Sequence, residues 1–119
     1  MARAAKPPLT GTGRLKALST AKLDELIEEA IVDAYGESEQ TSGFYSTLEE
    51  HLAIPFAIDV LGVEATVERV DLIDDERIVA VCVRGKSRQR ISILDLPCPD
   101  VLPAGWEWVE AYRRWARGR

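Results

Sequence analysis

The sequence contains few residues of the kinds that build disulfide scaffolds or soft-metal sites. Two cysteines and one histidine occur among its 119 residues. A small disulfide-bonded domain has many more cysteines, and intracellular disulfides are rare, so we expect Cys82 and Cys98 to be reduced thiols. A structural zinc ion needs four ligands, usually Cys and His. With His51 as the single histidine, these residues exclude a Cys/His zinc site within one chain.

Long apolar segments are also missing. A transmembrane helix needs about eighteen or more consecutive apolar residues, and no such run occurs. The basic start of the sequence lacks the continuous apolar stretch of a secretory signal. We therefore expect a cytoplasmic protein that does not contact membranes. A chain of 119 residues, 46% of them hydrophobic, fits one globular domain with a modest core.

Basic residues are absent from a long central part of the chain. Between Leu23 and Glu68 there is no Lys or Arg, and His51 is the only residue there that could carry a positive charge. The acidic residues of this stretch are Asp24, Glu25, Glu28, Glu29, Asp33, Glu37, Glu39, Glu49, Glu50, Asp59, Glu64 and Glu68. This uneven distribution of positive and negative charge along the chain gives information about binding partners and not about the fold.

Catalytic and nucleotide-binding motifs are missing as well. The strings GxSxG, GxxxxGK, GxGxxG and HExxH do not occur. An isoelectric point of about 4.9 and the long acidic segment argue against a nucleic-acid partner, because they would repel phosphates. His51 has Leu48 and Leu52 at helical spacing beside it, which favours a packed structural histidine over a catalytic base.

Apolar periodicity predicts three helices. Residues 1–18 show little periodicity and predict a flexible basic tail, followed by a single domain over residues 19–119. From an N-cap at Ser19 or Thr20, an apolar stripe at helical spacing predicts a first helix that ends near Gly36. A second helix is predicted from about residue 38 to residue 53, since Pro55 ends it, and the two helices would form a hairpin.

The remaining chain predicts strands and a last helix. The stretches FAIDVLG, VEATVERVDLI, RIVAVCV and RISILDL have a period of two or are wholly apolar, which is typical of short antiparallel strands. Near the C-terminus Trp108, Tyr112 and Trp115 lie on one helical face, and we expect this helix to dock on the strands. The predicted fold class is α+β: an N-terminal helical hairpin packed on a small antiparallel sheet of four to five strands, or on an SH3-like barrel, with a C-terminal aromatic helix.

The acidic helices offer oxygen ligands. Glu25, Glu29 and Asp33 are four residues apart, and Glu37 continues the series if the first helix persists that far. Like charges at this spacing cost a helix a few tenths of a kcal/mol per pair, which a cation or a basic partner would offset. Ca²⁺ takes six to eight oxygen ligands and suits such a surface, although the EF-hand pattern is absent. A merely solvated helix face is the simpler interpretation.

Two further groups have a structural and a functional interpretation. A second acidic group is formed by Asp71, Asp74, Asp75 and Glu76. It could hold a second calcium ion, but a polar turn between strands explains it better. Tyr35, Phe44 and Tyr45 could face a ligand, but their spacing around the junction of the two helices favours a hairpin core.

Three sequence stretches together resemble a known family. They are IVDAYGESEQTSGFY at residues 31–45, LEEHLAIPF at residues 48–56 and GWEWVEAYRRW at residues 105–115. From about residue 26 to residue 115 the chain resembles the small bacterial calcium-binding family typified by the cyanobacterial protein CcbP. The resemblance implies a soluble, non-enzymatic protein that binds calcium ions through an acidic surface and acts as an intracellular calcium buffer or regulator.

The resemblance also implies a set of candidate ligands. By position in the matching stretches, the candidate calcium ligands are Asp33, Glu37, Glu39, Glu49 and Glu50. The alternative function is that of a protein–protein interaction module whose acidic helical face docks a basic partner.

Overall fold

The computed structural model describes residues 19–74 and 76–118. Within these residues the chain forms three α-helices and four strands, an α+β fold as predicted. The elements are α1 (Thr20–Ala30), α2 (Glu37–His51), β1 (Phe56–Val60), β2 (Val63–Ile73), β3 (Arg77–Arg84), β4 (Ser87–Ser92), a 3₁₀ turn (Ile93–Asp95) and α3 (Trp106–Gly118). The predicted basic tail at residues 1–18, and Asp75 of the predicted acidic turn, lie outside the described residues. None of the described helices is long and apolar enough to cross a membrane.

Helix α1 begins where it was predicted to begin and ends earlier. The Ser19 side chain accepts a hydrogen bond from the backbone N–H of Lys22, which is an ordinary N-cap. The helix stops at Ala30, well before Gly36. Two residues of the following turn explain this. The N–H of Ala34 bonds to the Ile31 carbonyl, and Asp33 adopts a φ of 66°.

The early end of α1 changes the predicted row of carboxylates. A positive φ is tolerated by Asp better than by most other residues, so Asp33 can stand at the point where the chain reverses. Asp33 therefore does not continue the line of Glu25 and Glu29 on α1, and Glu37 begins a different helix. The prediction that Asp33 lies in one row with Glu25 and Glu29 on the first helix is wrong, and the condition for including Glu37, a helix that continues past Gly36, is not met.

The four strands form one open antiparallel sheet in the order β1-β2-β3-β4, and the sheet alternative of the prediction is the one observed. Strands β1 and β2 are joined by a two-residue turn with the closing pair Val60–Val63. Both turn residues have positive φ, 54° at Leu61 and 80° at Gly62, as in a type I′ hairpin turn. β1 and β4 are consequently the two edges of the sheet.

Strand β4 differs from its prediction. The stretch RISILDL was expected to be the strand, but β4 covers Ser87–Ser92 and the next three residues form a 3₁₀ turn. The cause at its start is Gly85, whose φ of 59° permits a tight connection closed by the Arg84–Ser87 pair. At its end, the Ser92 hydroxyl accepts a hydrogen bond from the N–H of Leu94 and starts the 3₁₀ turn.

The helices form two layers on one face of the sheet. Helix α2 packs on β2 and β3, and α1 and α3 pack on α2 and on each other. The aromatic face of α3 was expected to meet the strands, but α2 already occupies the middle of the sheet, so α3 mainly contacts helices. Its first residue is the exception, since the Trp106 ring meets the Phe56 ring of β1 edge to face, with centroids 6.1 Å apart.

Aromatic side chains join α2 to α3. The buried Phe44 ring lies 5.4 Å from the Tyr112 ring and 5.2 Å from the Trp115 ring, measured between centroids. Tyr45 is half-buried against the same core. These two residues confirm the predicted hairpin core. Tyr35 does not, because 88% of its surface is exposed, and its inclusion in the core is wrong.

The beginning of α3 is held tightly against the end of α2. Gly105 has a φ of 90°, and a Cβ atom at this position would collide with the carbonyl oxygen of His51. One residue earlier, the Ala104 carbonyl accepts a hydrogen bond of 2.8 Å from the N–H of Ala53. The His51 ring stacks on Trp108 with centroids 5.2 Å apart, which confirms the prediction of a packed histidine.

Arg113 is buried and fixes the segment between β4 and α3. Its Nε donates to the Ile93 carbonyl over 3.1 Å, and its Nη2 donates to the Leu96 carbonyl. The guanidinium carbon lies 5.4 Å from the centroid of the Trp106 ring. Burial lowers the pKa of Arg113 below its ordinary value, and the Glu110 carboxylate, 3.4 Å from Nη1, acts in the opposite direction.

Candidate functional site

The connection between α1 and α2 borders a shallow concavity of about 470 Å³. Its lining comprises Ala30, Val32, Asp33, Ala34, Ser38, Glu39, Ser42 and Gly43. We call it the α1–α2 concavity. Among residues 19–74 and 76–118, the polar side chains that line it are two carboxylates and two hydroxyls, and none is basic. Its donor atoms are therefore oxygens, the ligands that hard divalent cations prefer.

A glycine brings the two helices close enough to form this concavity. A Cβ atom on Gly43 would collide with the carbonyl oxygen of Ala30, the last residue of α1. Only a residue without a side chain allows the end of α1 to approach α2 so closely. The loop between the helices is thereby forced outward, and it becomes one wall of the concavity.

The two carboxylates reach the concavity from different sides. Asp33 lies in the loop and is exposed, and its backbone is set by the turn between Ile31 and Ala34. Glu39 lies in the first turn of α2, and its Oε1 accepts a hydrogen bond of 2.8 Å from the N–H of Tyr35. A carboxylate offers about four lone-pair positions, so this bond fixes the side chain and leaves acceptor capacity for a ligand.

The structure separates the other predicted ligands from this pair. Glu37 is the exposed first residue of α2, next to the concavity but not part of its lining. Glu49 and Glu50 lie in the last turns of α2, ten positions or more beyond Glu39, and a helix rises about 1.5 Å per residue. The predicted set therefore divides into two groups about 15 Å apart.

Local contacts occupy the far pair. The Tyr45 hydroxyl donates a hydrogen bond of 2.9 Å to Glu49. Burial, and secondarily this bond to a carboxylate, raises the pKa of Tyr45 above its ordinary value. Glu50 lies 3.9 Å from Nε2 of His51. Each of the two carboxylates thus has an interaction partner on α2 itself.

The donor set of the α1–α2 concavity is incomplete for a calcium ion. Among residues 19–74 and 76–118, no three Asp, Glu, His or Cys side chains are close enough together to hold a metal ion. Two carboxylates and two hydroxyls could supply part of a shell of six to eight oxygens, and carbonyl oxygens or water would supply the rest. The chemistry of these donors fits calcium, and their number indicates an open, partly hydrated site.

Arginines compensate acidic side chains elsewhere in the molecule. Asp24 accepts a hydrogen bond of 2.8 Å from Nε of Arg114, and this bond lowers the pKa of the Asp24 carboxyl below its ordinary value. Glu68 accepts a bond of 2.9 Å from Arg88. Asp33 has no comparable ion pair with any described residue. Within the described part of the chain, no arginine compensates the Asp33 carboxylate as Arg114 compensates Asp24.

The second predicted acidic group behaves differently, since Asp71 lies within β2 and Asp74 and Glu76 lie in the turn that follows. Asp71 accepts a hydrogen bond of 3.1 Å from Nε of Arg69 on the same strand, and the bond raises the pKa of that guanidinium. Asp74 has a φ of 54°, as expected where a turn needs a left-handed residue. This φ and the hydrogen bond from the N–H of Glu76 to the Ile73 carbonyl favour the prediction of a polar turn for the residues after Ile73.

Two oxygen donors of the α1–α2 concavity were missed in the sequence. Ser38 and Ser42 lie four residues apart and therefore on one face of α2, beside Glu39. That spacing was visible in the sequence. It gave no reason to combine the two serines with Asp33, because the position of the loop depends on the contact at Gly43.

Comparisons with known proteins agree with this architecture. The structure of CcbP from Anabaena has a TM-score of 0.68 and 18% identity, covering 87% of this chain and 95% of that one. A structure described as a calcium-binding protein in the calcium-binding form has a TM-score of 0.63 and 23% identity, covering 92% and 98%. These identities are low, so the two structures establish the shared fold.

A search among curated proteins gives no match. The family model for calcium binding of the CcbP type matches residues 24–116, most of the 119-residue chain. The chain therefore belongs to the CcbP family of calcium-binding proteins.

Proposed function

We propose that this chain binds Ca²⁺ at the α1–α2 concavity, with Asp33 and Glu39 as the principal carboxylate ligands. One observation carries the proposal: carboxylates from the loop and from α2 line one concavity to which the described part of the chain contributes no basic side chain. The family supplies the identity of the ion. The protein would serve as a non-enzymatic calcium buffer or regulator in the cytoplasm.

Electrostatic relief would drive the binding. In the ion-free protein, Asp33 and Glu39 are surrounded by a negatively charged stretch, and no described basic residue lines the α1–α2 concavity. A divalent ion removes this repulsion, and its affinity should fall as salt screens the charges. The site would not be an EF-hand, because its ligands come from a loop and the first turns of a helix instead of one continuous twelve-residue loop.

We rank the five predicted ligands by their distance from the α1–α2 concavity. Asp33 and Glu39 would contact the ion. Glu37 lies next to the concavity and would contribute its charge without lining the site. Glu49 and Glu50 are about 15 Å away along α2, beyond the screening length of about 8 Å at physiological salt. Their influence on this site should therefore be small, unless they hold a second ion of their own.

Calorimetric titration of the chelator-stripped protein tests the proposal. Calcium should bind with measurable heat and more tightly than magnesium, which keeps more of its own water. The affinity should decrease at higher salt. If calcium produces neither heat nor thermal stabilisation, the chain shares the fold of the family without this function.

A set of charge-neutral variants locates the site. Asp33→Asn combined with Glu39→Gln should weaken calcium binding by about tenfold or more, since each lost carboxylate removes a ligand and a charge. The matched control is Glu28→Gln with Glu29→Gln, which removes two exposed charges from α1 outside the α1–α2 concavity. A third variant, Glu49→Gln with Glu50→Gln, tests the far pair. Equal binding by the parent and the first variant would place the ion elsewhere.

A further inference from the structure

The free edge of β1 borders a second groove, which the proposed calcium site does not use. This groove has a volume of about 600 Å³ and lies between β1 and the connector that leads to α3. The Ala53–Ala104 hydrogen bond closes it at one end. Asp59 and Glu64 on the strands and Asp100 on the connector contribute its charged side chains, and none of the described residues that line it is basic. We call it the β1 edge groove.

We propose that the β1 edge groove binds an extended peptide segment of a partner protein, in which basic and apolar residues alternate and which pairs with β1 as an added strand. The proposal rests on the backbone at the strand edge, on the charge of the groove and on its apolar wall. It is independent of calcium binding.

The hairpin register shows which backbone groups are available. In a two-residue hairpin the closing pair exchanges both of its hydrogen bonds, so the peptide groups of Val60 point toward β2. Alternation along the strand then directs the N–H and C=O groups of Asp59 and Ala57 away from β2. These four groups face the β1 edge groove, where an added strand would form hydrogen bonds with them.

The charges predict the composition of the added strand. Asp59 and Glu64 stand directly opposite each other in a pair of the type that brings side chains closest. Like charges in such a pair are destabilising. Neither carboxylate, nor that of Asp100, has an ion pair with a described residue. A lysine or arginine opposite Asp59 would relieve this repulsion.

The alternation of the strand predicts the order of residues in the partner. Ile58 is buried in the core, so the neighbouring Ala57 and Asp59 side chains point to the opposite face of the sheet. Residues of an added strand opposite Asp59 share its face and meet the carboxylates. The intervening residues point toward the connector, where Val101 is 63% exposed and offers an apolar contact.

A binding experiment with a defined peptide tests this inference. The probe is a fluorescent peptide in which lysine and valine alternate, titrated with the full-length protein in the presence of a chelator, with anisotropy as the readout. Amide signals of Ala57 and Asp59 in nitrogen-15 NMR spectra should be among those that shift most. A peptide with glutamate in place of lysine should not bind.

Two comparisons separate strand addition from general charge attraction. Methylation of alternate backbone amides of the lysine–valine peptide keeps its charge and removes its hydrogen-bond donors, and it should abolish binding. Asp59→Asn with Glu64→Gln should weaken binding by about five- to tenfold. The control pair Glu28→Gln and Glu29→Gln should leave it nearly unchanged.

Several results would overturn the inference. Equal binding of the methylated peptide, or equal weakening by both charge pairs, would mean that only net charge attracts the probe. Absence of binding would mean that the charged edge merely prevents association of sheets. Displacement of the peptide by calcium would mean that the groove carboxylates hold the ion, which the Asp33 and Glu39 variants would show independently.

Discussion

Asp24 and Asp33 belong to the same acidic stretch of sequence, yet their surroundings in the fold are different. Asp24 lies on α1 where α3 packs, and Arg114 of α3 donates a 2.8 Å hydrogen bond to it. Asp33 lies beyond the other end of α1, where no described basic residue pairs with it. The contrast shows that charge compensation is decided by the distant segment that folds back. Here α3 brings arginines to one end of the helical layer and none to the other.

A second contrast lies within α3. Arg113 and Arg114 are adjacent, but Arg113 is buried and bonds to two backbone carbonyls, while Arg114 forms an exposed pair with Asp24. The first arginine holds the connector against the helices, and the second adjusts surface charge. Neighbouring residues of α3 thus serve packing and surface charge, and variants can test each property separately.

The largest effect is expected for Gly105→Ala. The substitution would place a Cβ atom against the His51 carbonyl oxygen in a backbone conformation that only glycine adopts easily. We expect it to lower the free energy of unfolding by about 3 kcal/mol or more, as measured by urea denaturation. Gly118→Ala is the control, because nothing lies near its Cβ position. Equal stability of the two variants would refute the close packing of α2 and α3.

Arg113→Met should have the next largest effect. The variant keeps much of the side-chain volume but leaves the Leu96 carbonyl without the Arg113 donor, and the Ile93 carbonyl keeps only the 3.4 Å bond from the N–H of Leu96. An unsatisfied buried carbonyl costs about 1–3 kcal/mol and the cation–π contact with Trp106 is lost as well, so a loss of about 2–4 kcal/mol in the free energy of unfolding is expected. Arg114→Met on the same helix should change it little. Similar losses in both variants would contradict the distinction between the buried and the exposed arginine.

Gly43→Ala should act on the uncompensated end of the molecule. Its new methyl group would push the end of α1 away from α2 and widen the α1–α2 concavity. A loss of about 1–3 kcal/mol in stability is expected from such overpacking, together with several-fold weaker calcium binding. Ser46→Ala, at an exposed position of the same helix, is the control. Unchanged calcium affinity in a destabilised variant would separate the ion site from the contact between the helices.

Local sequence patterns predicted much of this fold. Helical spacing identified three helices, a period of two identified the strands, and the N-cap at Ser19 marked the start of α1. The errors lie where a distant contact or a turn type decides. Nothing near Ala30 in the sequence shows that α1 must end there, since the close approach of Gly43 helps to set the path of the loop. The start of β4 likewise follows from the turn at Gly85.

The same division applies to the candidate sites. The predicted ligands include Asp33 and Glu39, which the fold brings to one concavity, but their separation from Glu49 and Glu50 depends on the length and direction of α2. The β1 edge groove could not be found from local patterns, because Asp100 meets the strand residues only through the path of the connector. The periodicity of apolar residues predicts single helices and strands. A site formed by several elements also depends on how these elements pair and pack, which the periodicity does not show.

The smallest predicted effect is the pH dependence of the Asp24–Arg114 pair. Because Arg114 lowers the pKa of Asp24 in the folded protein, the pair contributes stability at pH values above about 4, the ordinary pKa of the side chain. This contribution is lost as the pH falls through the lowered pKa, since the carboxyl then binds a proton in both states. Asp24→Asn should therefore be slightly less stable than the parent at pH 6, and the difference should shrink as the pH is lowered from about 4 to about 2.

Asp33→Asn is the matching variant to Asp24→Asn at the uncompensated end of the molecule. With no described arginine paired with Asp33, we expect its neutralisation to remove repulsion and no attraction, so stability at pH 6 should stay the same or increase. Thermal denaturation of both variants and the parent, at these pH values and in a chelator, checks this difference in sign. If Asp33→Asn lost stability at pH 6 as Asp24→Asn does, Asp33 would have a stabilising cationic partner. The negative charge at the α1–α2 connection would then be compensated, and the electrostatic argument for calcium binding there would fail.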